Sequence, residues 1–365
     1  MTRREALLAL NLLPRVGPVR VRRLLEAFGT PEAVFQARRD ALLRIKGFGE
    51  ELASILTNWE DHADLPTEER RIREFGAGIL TADDEAYPTN LREIYDPPLV
   101  LYVWGALQRS DSTAIGVVGS RRATHYGAQC AKKLSFQLAG AGVTVLSGLA
   151  RGIDTAAHEG AVAANGRTVA VIGSGLAKLY PPENRALAEK IAAGHGAVVS
   201  EFPMDLPPDK QTFPMRNRIV SGWSSGILVV EAPAWSGALI TANMASEQGR
   251  SVYAVPGPID RPTSTGCNRL IQQGAKLVMD ARDVLEDLET LFPLSSVDAP
   301  QPARPQFAFS EEEAAVYAAI GDRETHVEEI ITACELPTPT ISATLLRLEM
   351  KRAVKQLPGR HYVRL

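Results

Sequence analysis

The sequence predicts an α/β fold centred on a mostly parallel sheet with helices on both faces. A small all-α domain precedes the sheet, and a helix-and-hairpin module follows it. Two observations carry this expectation. Three short apolar runs fall within sixty residues, each flowing into a loop of small residues. Residues 115–118 run into Gly119-Ser120-Arg121-Arg122, residues 143–146 into Ser147-Gly148, and residues 169–172 into Gly173-Ser174-Gly175. Strands buried on both faces of a parallel sheet read as such continuous apolar runs. Strand and helix signals then alternate from about residue 75 to 292, the pattern of crossover units.

The front domain, residues 1–65, is helical and contains a weak repeat. Leu12-Leu13-Pro14-Arg15-Val16-Gly17-Pro18-Val19 is echoed by Leu42-Leu43-Arg44-Ile45-Lys46-Gly47-Phe48-Gly49, each followed by helical apolar spacing. A helix, a tight glycine-containing turn and a second helix resemble the helix-hairpin-helix (SAM-like) module, which presents turn amides to nucleic-acid phosphates. Through Lys46 there are ten basic residues against four acidic. That imbalance reads either as an electrostatic footprint for nucleic acid or as a helical cap with solvated arginines.

In the central domain, residues 75–292, further strands are expected near 99–103, 197–199, 227–230 and 251–255. Helices are expected at 127–138, 155–164, 184–193 and 238–247. Residues 293–309 are rich in Pro, Ser and Ala without periodicity and read as a linker. From Ser310 the pattern tightens. Ser310 followed by three glutamates caps a helix, helices follow at 327–334 and 338–350, and a hairpin spans 354–365 around Pro358-Gly359. Three helices and a terminal hairpin describe a winged helix. Its last helix, 338–350, carries Arg347 as its one base, which favours protein contact or an accessory role over groove reading.

Composition bounds the function. A chain of 365 residues with net charge −3 is no polycation, so any nucleic-acid site needs local segregation of Lys and Arg. The three cysteines are far apart and no CxxC pair exists, which argues against a disulfide framework or structural zinc and fits a reducing cytoplasm. No apolar run approaches the length of a membrane span.

The loops after the three strands suit phosphate, because glycine lets backbone amides approach an anion and a following helix adds its positive end. A dinucleotide is disfavoured: Gly173-Ser174-Gly175-Leu176-Ala177-Lys178 has Lys where the third glycine of the fingerprint belongs. No Gly-Lys-Ser/Thr loop exists either, which sets aside an ATP-driven motor; no cofactor and no metal is expected. Catalytic patterns are thin. Asp154 and His158 would share a helix face, as an acid–base pair or as a structural pair, and Ser147 and Ser236 have no base beside them. Glu201 and Glu231 sit at strand ends, as functional groups or as anchors of loop amides. Phe213-Pro214-Met215-Arg216-Asn217-Arg218 joins an aromatic, two guanidiniums and an amide, ready to stack a base and hold phosphates. The competing reading has Arg216 and Arg218 bridging to Glu201 or Glu231 inside the fold, with Phe213 in the core. Lys210, Arg121, Arg122 and Lys178 would complete a basic edge.

Taken in order, Gly119-Ser120-Arg121, residues 147–154, Tyr180-Pro181 with Asn184, Ser200-Glu201-Phe202-Pro203, residues 213–218, Ser236-Gly237-Ala238-Leu239, Pro256-Gly257 and Gly266-Cys267-Asn268 resemble the DprA/Smf family of bacterial DNA-processing proteins. The resemblance implies an extended Rossmann-like domain that binds single-stranded DNA and no cofactor. It implies a cytoplasmic, non-enzymatic homodimer that protects incoming DNA in natural transformation and helps load the RecA recombinase. Family binding residues carry over to Gly119, Ser120 and Arg121, to the turn with Gly173, Ser174, Gly175 and Lys178, and to Arg216, Asn217 and Arg218, and Arg122, Ser147 and Gly148 join them as candidates for single-strand binding. Tyr180 and Phe213 are stacking candidates, while Glu201, Glu231, Ser236, Gly237 and Asn268 would shape the site. A rival resemblance is to nucleotide phosphoribohydrolases, which carry a Pro-Gly-Gly-x-Gly-Thr loop and a catalytic Glu. Here residues 231–241 hold Ser236-Gly237-Ala238-Leu239 in its place, with Glu231 and Glu247 nearby.

Overall fold

A computed structural model describes residues 1–291, 309–321, 324–334, 336–351 and 353–364. The chain divides into two compact units, residues 1–301 and 302–365. The expected linker lies almost wholly outside the described residues.

The first unit is built on a nine-stranded sheet. Its strands are β1 (Gly78–Leu80), β2 (Leu101–Gly105), β3 (Ala114–Val118), β4 (Thr144–Ser147), β5 (Thr168–Val171), β6 (Gly196–Ser200), β7 (Gly226–Val229), β8 (Ser251–Ala254) and β9 (Lys276–Leu277). Their spatial order is β1-β2-β6-β5-β4-β3-β7-β8-β9. β2 runs antiparallel to both β1 and β6, and every other pairing is parallel. β3 to β7 are buried at every position, so their apolar runs are explained by helices on both faces. One face packs Ile219, Val220 and Trp223 against Val118, Ile227 and Val229. The other packs Ala131, Leu134, Leu138, Ile153 and Ala157 against Ile115, Val117 and Val145.

From β3 the chain winds outward through β4, β5 and β6, then returns to place β7 on the other side of β3. The loops leaving β3 and β7 therefore diverge, and a crevice opens outside their carboxyl ends, where ligands bind in open parallel sheets.

Most expected helices form with shifted ends: His125–Gly140, Ile153–Ala163 and Gly237–Glu247. The one expected at 184–193 is shorter, because Arg185–Lys190 opens into a wide turn at Ile191–His195 in which Gly194 leaves helical geometry. The structure adds the edge strands β1 and β9 and helices at Leu65–Phe75, Thr89–Arg92, Thr212–Trp223, Thr265–Gln272 and Arg282–Leu291. Pro214 is no obstacle to the Thr212–Trp223 helix, since in the first turn its missing N–H has no partner to lose.

In the front part Arg3–Leu12 and Pro18–Phe28 both pack on the helix Pro31–Phe35, and Arg39–Leu43 packs on Glu50–Thr57, around Leu10, Leu24, Leu42 and Leu56. Their arginines are mostly engaged, three of them (Arg20, Arg22 and Arg23) by the backbone carbonyls of Arg15, Tyr95 and Lys46, others by carboxylates. Arg3 and Arg4 bind Asp83 and Asp84 at 2.6 Å each, Arg15 binds Glu51 at 2.6 Å, Arg38 binds Asp40 at 2.9 Å, and Arg39 binds Glu50. Leu7 and Leu8 of the first helix also pack with Val100 and Tyr102 of the central part.

The second unit packs helices Glu311–Ala319, Val327–Ala333 and Thr338–Met350 against a sheet of order β10-β12-β11, with β10 at Thr325–His326, β11 at Val354–Leu357 and β12 at His361–Arg364. This is the winged-helix arrangement. Arg347 on the third helix binds Glu312 at 3.2 Å.

Candidate nucleic-acid interface

The crevice between the β3 and β7 loops is a cleft of about 740 Å³. One wall is the loop of residues 119–122, the second the start of the Thr212–Trp223 helix, and the third the loop from Pro233 into the helix Gly237–Glu247. The first loop is held at both ends by one residue. Ser120 donates its N–H to the Glu231 carbonyl at 2.7 Å, and Thr124 donates its N–H to the Glu231 carboxylate at 3.1 Å and its hydroxyl to the same group. The Ser120 hydroxyl accepts the Arg122 N–H at 3.1 Å. Arg121 and Arg122 are left exposed, and neither has an ion-pair partner among the described residues. The Arg121 guanidinium rests over the Phe213 ring at 4.8 Å, a cation–π contact. Just outside the cleft lining the Tyr180 ring lies 6.0 Å from Phe213 and Arg151 lies 5.9 Å from Tyr180, so two rings stand between two cations. Lys210 and Asn217 also line the cleft, as do Ser236, whose hydroxyl caps the helix at Ala238, and Gly237.

The floor is a buried polar cluster. Arg216 is 5% exposed and donates from Nη1 to the Val171 carbonyl at 2.7 Å. Its guanidinium lies flat on Gly148, where an added Cβ would stand 1.7 Å from Nη1. Asp154 accepts the N–H groups of Gly148 (3.1 Å) and Ala150 (3.3 Å). Burial raises the Asp154 pKa against the pull of Arg216, and burial lowers that of Arg216 to about 10. The helical pair Asp154/His158 is thus structural: His158 is fully buried, with Nδ1 2.7 Å from the Thr168 hydroxyl.

Several expected contacts are corrected. Arg218 does not reach the cleft. It is 7% exposed and bound to Glu201 and, at 3.1 Å, to Asp96, because two residues along a helix it faces away from Arg216. Glu201 is correspondingly buried, and that burial raises its pKa against the opposing pull of Arg218. Ser147 is fully buried and donates to the Val117 carbonyl at 2.6 Å. Ser174 is buried as well, and the Gly175 N–H is taken by the Leu206 carbonyl at 2.9 Å, so that turn offers no open amide cradle there. Gly173 instead backs onto the Phe213 ring. Lys178 is exposed but lies outside the cleft lining. Asn268 holds Gly257 through both its amide atoms, at 2.9 and 3.2 Å, and lies outside the lining too. Glu231 does not line the cleft, and its carboxylate is occupied by Thr124. A general acid or base for base-cleaving chemistry would need that group open to substrate.

Two large, exposed apolar residues of the lining were not singled out from the sequence. Trp235 is 83% exposed and Ile240 is 45% exposed, both on the third wall. The available signal was a lone Trp among small residues, Pro233-Ala234-Trp235-Ser236-Gly237, directly before a helix.

Comparison with known proteins agrees with this architecture. Residues 78–289 match the family model described as DNA recombination-mediator protein A, residues 298–360 the DprA winged helix domain, and residues 7–56 a SAM-like helix-hairpin-helix tandem. The chain is 34% identical to Protein Smf of Synechocystis, over 98% of both chains. It is 43% identical to Protein Smf of Escherichia coli, over 79% of this chain and 77% of that one. Among solved structures, DNA processing protein A of Streptococcus pneumoniae superposes with a TM-score of 0.68 and 36% identity, covering 79% of this chain and 98% of that one. A DNA processing protein A structure from Helicobacter pylori, described for its single-stranded DNA binding mode, gives 0.53 and 27%, covering 59% and 96%.

Proposed function

The chain belongs to the DNA recombination-mediator protein A (DprA/Smf) family, and on that premise we propose that it binds single-stranded DNA in the switch-point cleft. The observation that carries this reading is the contrast between cations. In the front domain Arg3, Arg4, Arg15, Arg38 and Arg39 are spent on carboxylates and Arg20, Arg22 and Arg23 on backbone carbonyls, whereas Arg121 and Arg122 have no ion-pair partner among the described residues at the cleft, and Arg121 already sits on an aromatic ring. Phosphates would lie along Arg121, Arg122 and Lys210, with a base on the Phe213–Tyr180 side. The protein acts as a binder without bond-breaking chemistry, in the cytoplasm. The family resemblance extends the reading to homodimers, to RecA loading and to protection of incoming DNA during transformation.

The test is a salt titration by fluorescence anisotropy. Arg121→Glu is expected to weaken single-strand binding about 10- to 100-fold, the range for removal of a charge-assisted hydrogen bond. It also flattens the log–log salt slope by roughly 0.7 for each phosphate no longer neutralised. A folded variant with wild-type affinity and slope removes this site.

A further inference from the structure

We propose that Trp235 is a second base-stacking platform, which makes the cleft two-sided: one nucleobase on Phe213 and another on the indole across from it. This rests on the single-strand reading above and specifies how that site engages bases.

Trp235 is the most exposed tryptophan of the chain, on a loop that is otherwise fixed. Ser236 donates its N–H to the Pro233 carbonyl at 3.0 Å, Leu239 donates to Ser236 at 3.1 Å, and Gly266 donates to Ala232 at 2.8 Å. The indole is therefore displayed by an ordered turn, not left on a loose one. It has no ring, cation or hydrogen-bond partner among the described residues. Ile240, one turn into the following helix, extends the same apolar wall. The wall shares its cleft with Arg121, Arg122 and Lys210. A protein side chain docking there would bury an apolar wall beside three unneutralised cations. A nucleotide satisfies both halves at once, because its base has an apolar π-face and its phosphate is an anion. Stacking on an indole is tolerant of base identity, so the platform adds affinity without sequence preference.

The experiment uses the full chain with oligo(dT) and with an abasic oligomer of equal length. Trp223 is buried, Trp59 and Trp104 are half-buried, and none of the three lines the cleft, so Trp235 dominates any quenching there. Oligo(dT) is expected to quench the wild-type fluorescence, and Trp235→Ala to abolish that quench. The same variant weakens oligo(dT) binding about 5- to 100-fold, as for removal of one stacked base. It leaves abasic binding and the salt slope unchanged, and Trp235→Phe recovers most of the affinity. Because the side chain is exposed, its removal leaves the fold intact. Unchanged oligo(dT) affinity in Trp235→Ala overturns the proposal and leaves the ring as a protein contact. Equal losses on both oligomers overturn it as well. If Arg121→Glu weakens binding while Trp235→Ala does not, this assignment alone falls. If the wild-type chain binds neither oligomer, the single-strand reading falls and takes this one with it.

Discussion

His158 shows how closely the floor of the cleft is specified. Thr168 donates its hydroxyl to the Val145 carbonyl at 2.7 Å, so it accepts from His158 Nδ1–H. Nε2 is then left unprotonated and unpartnered in the interior. Burial, reinforced by the Arg216 charge, lowers the His158 pKa from 6.5 to about 3. The unfolded chain thus binds a proton between those values that the folded chain refuses, so His158 stabilises the fold fully above 6.5 and progressively less as pH falls towards 3. His158→Gln removes that dependence. Urea unfolding in this window is expected to show wild-type stability falling about 1.4 kcal/mol per pH unit more steeply than the variant's. The sequence placed Asp154 and His158 on one helix face correctly, yet spacing alone cannot say whether that face meets a ligand or the sheet. Arg216 and Arg218 posed the same question. Recognising their helix would have divided them, since residues two apart face opposite sides.

At the scale of the element, what was legible follows burial. The central strands are buried throughout because both faces are covered, and their apolar runs announced them. β1 and β9 have three and two residues, too short for any period to show. The Thr212–Trp223 helix was hidden because its first half carries cleft polar groups and only Ile219, Val220 and Trp223 mark its buried face. The helix His125–Gly140 gives the sharpest test of element packing. Its first turn includes Gly127, where an added Cβ would stand 2.3 Å from Oε2 of Glu231. Helix propensity alone favours Gly127→Ala by up to about 1 kcal/mol. We expect the opposite sign: displacing the buried Glu231 carboxylate from Thr124 costs about 1–3 kcal/mol, read as a lower midpoint in chemical denaturation. The loop of residues 119–122 is loosened at the same time, so DNA affinity falls with it.

For the whole molecule, the near-neutral total hides segregation. The front arginines are engaged by acids or, for Arg20, Arg22 and Arg23, by backbone carbonyls, and the base of the Thr338–Met350 helix is matched with Glu312, while the cleft retains guanidiniums without an ion-pair partner among the described residues. A chain ending at residue 291 is therefore expected to keep single-strand affinity within about threefold of the full chain when the two are compared by anisotropy. A larger drop would assign DNA binding to the winged helix. The order of domains was readable from composition and repeats. The burial of particular arginines was not, because it depends on which carboxylate the fold brings opposite each one. The clamp that Glu231 places on both ends of the Ser120–Thr124 loop has a consequence in time as well as in energy. On the single-strand reading a strand arriving by diffusion meets a loop already clamped, and no separate ordering step is expected between encounter and capture. Association is then a single exponential whose rate is set by charge and slows as salt is added, with no concentration-independent phase behind it.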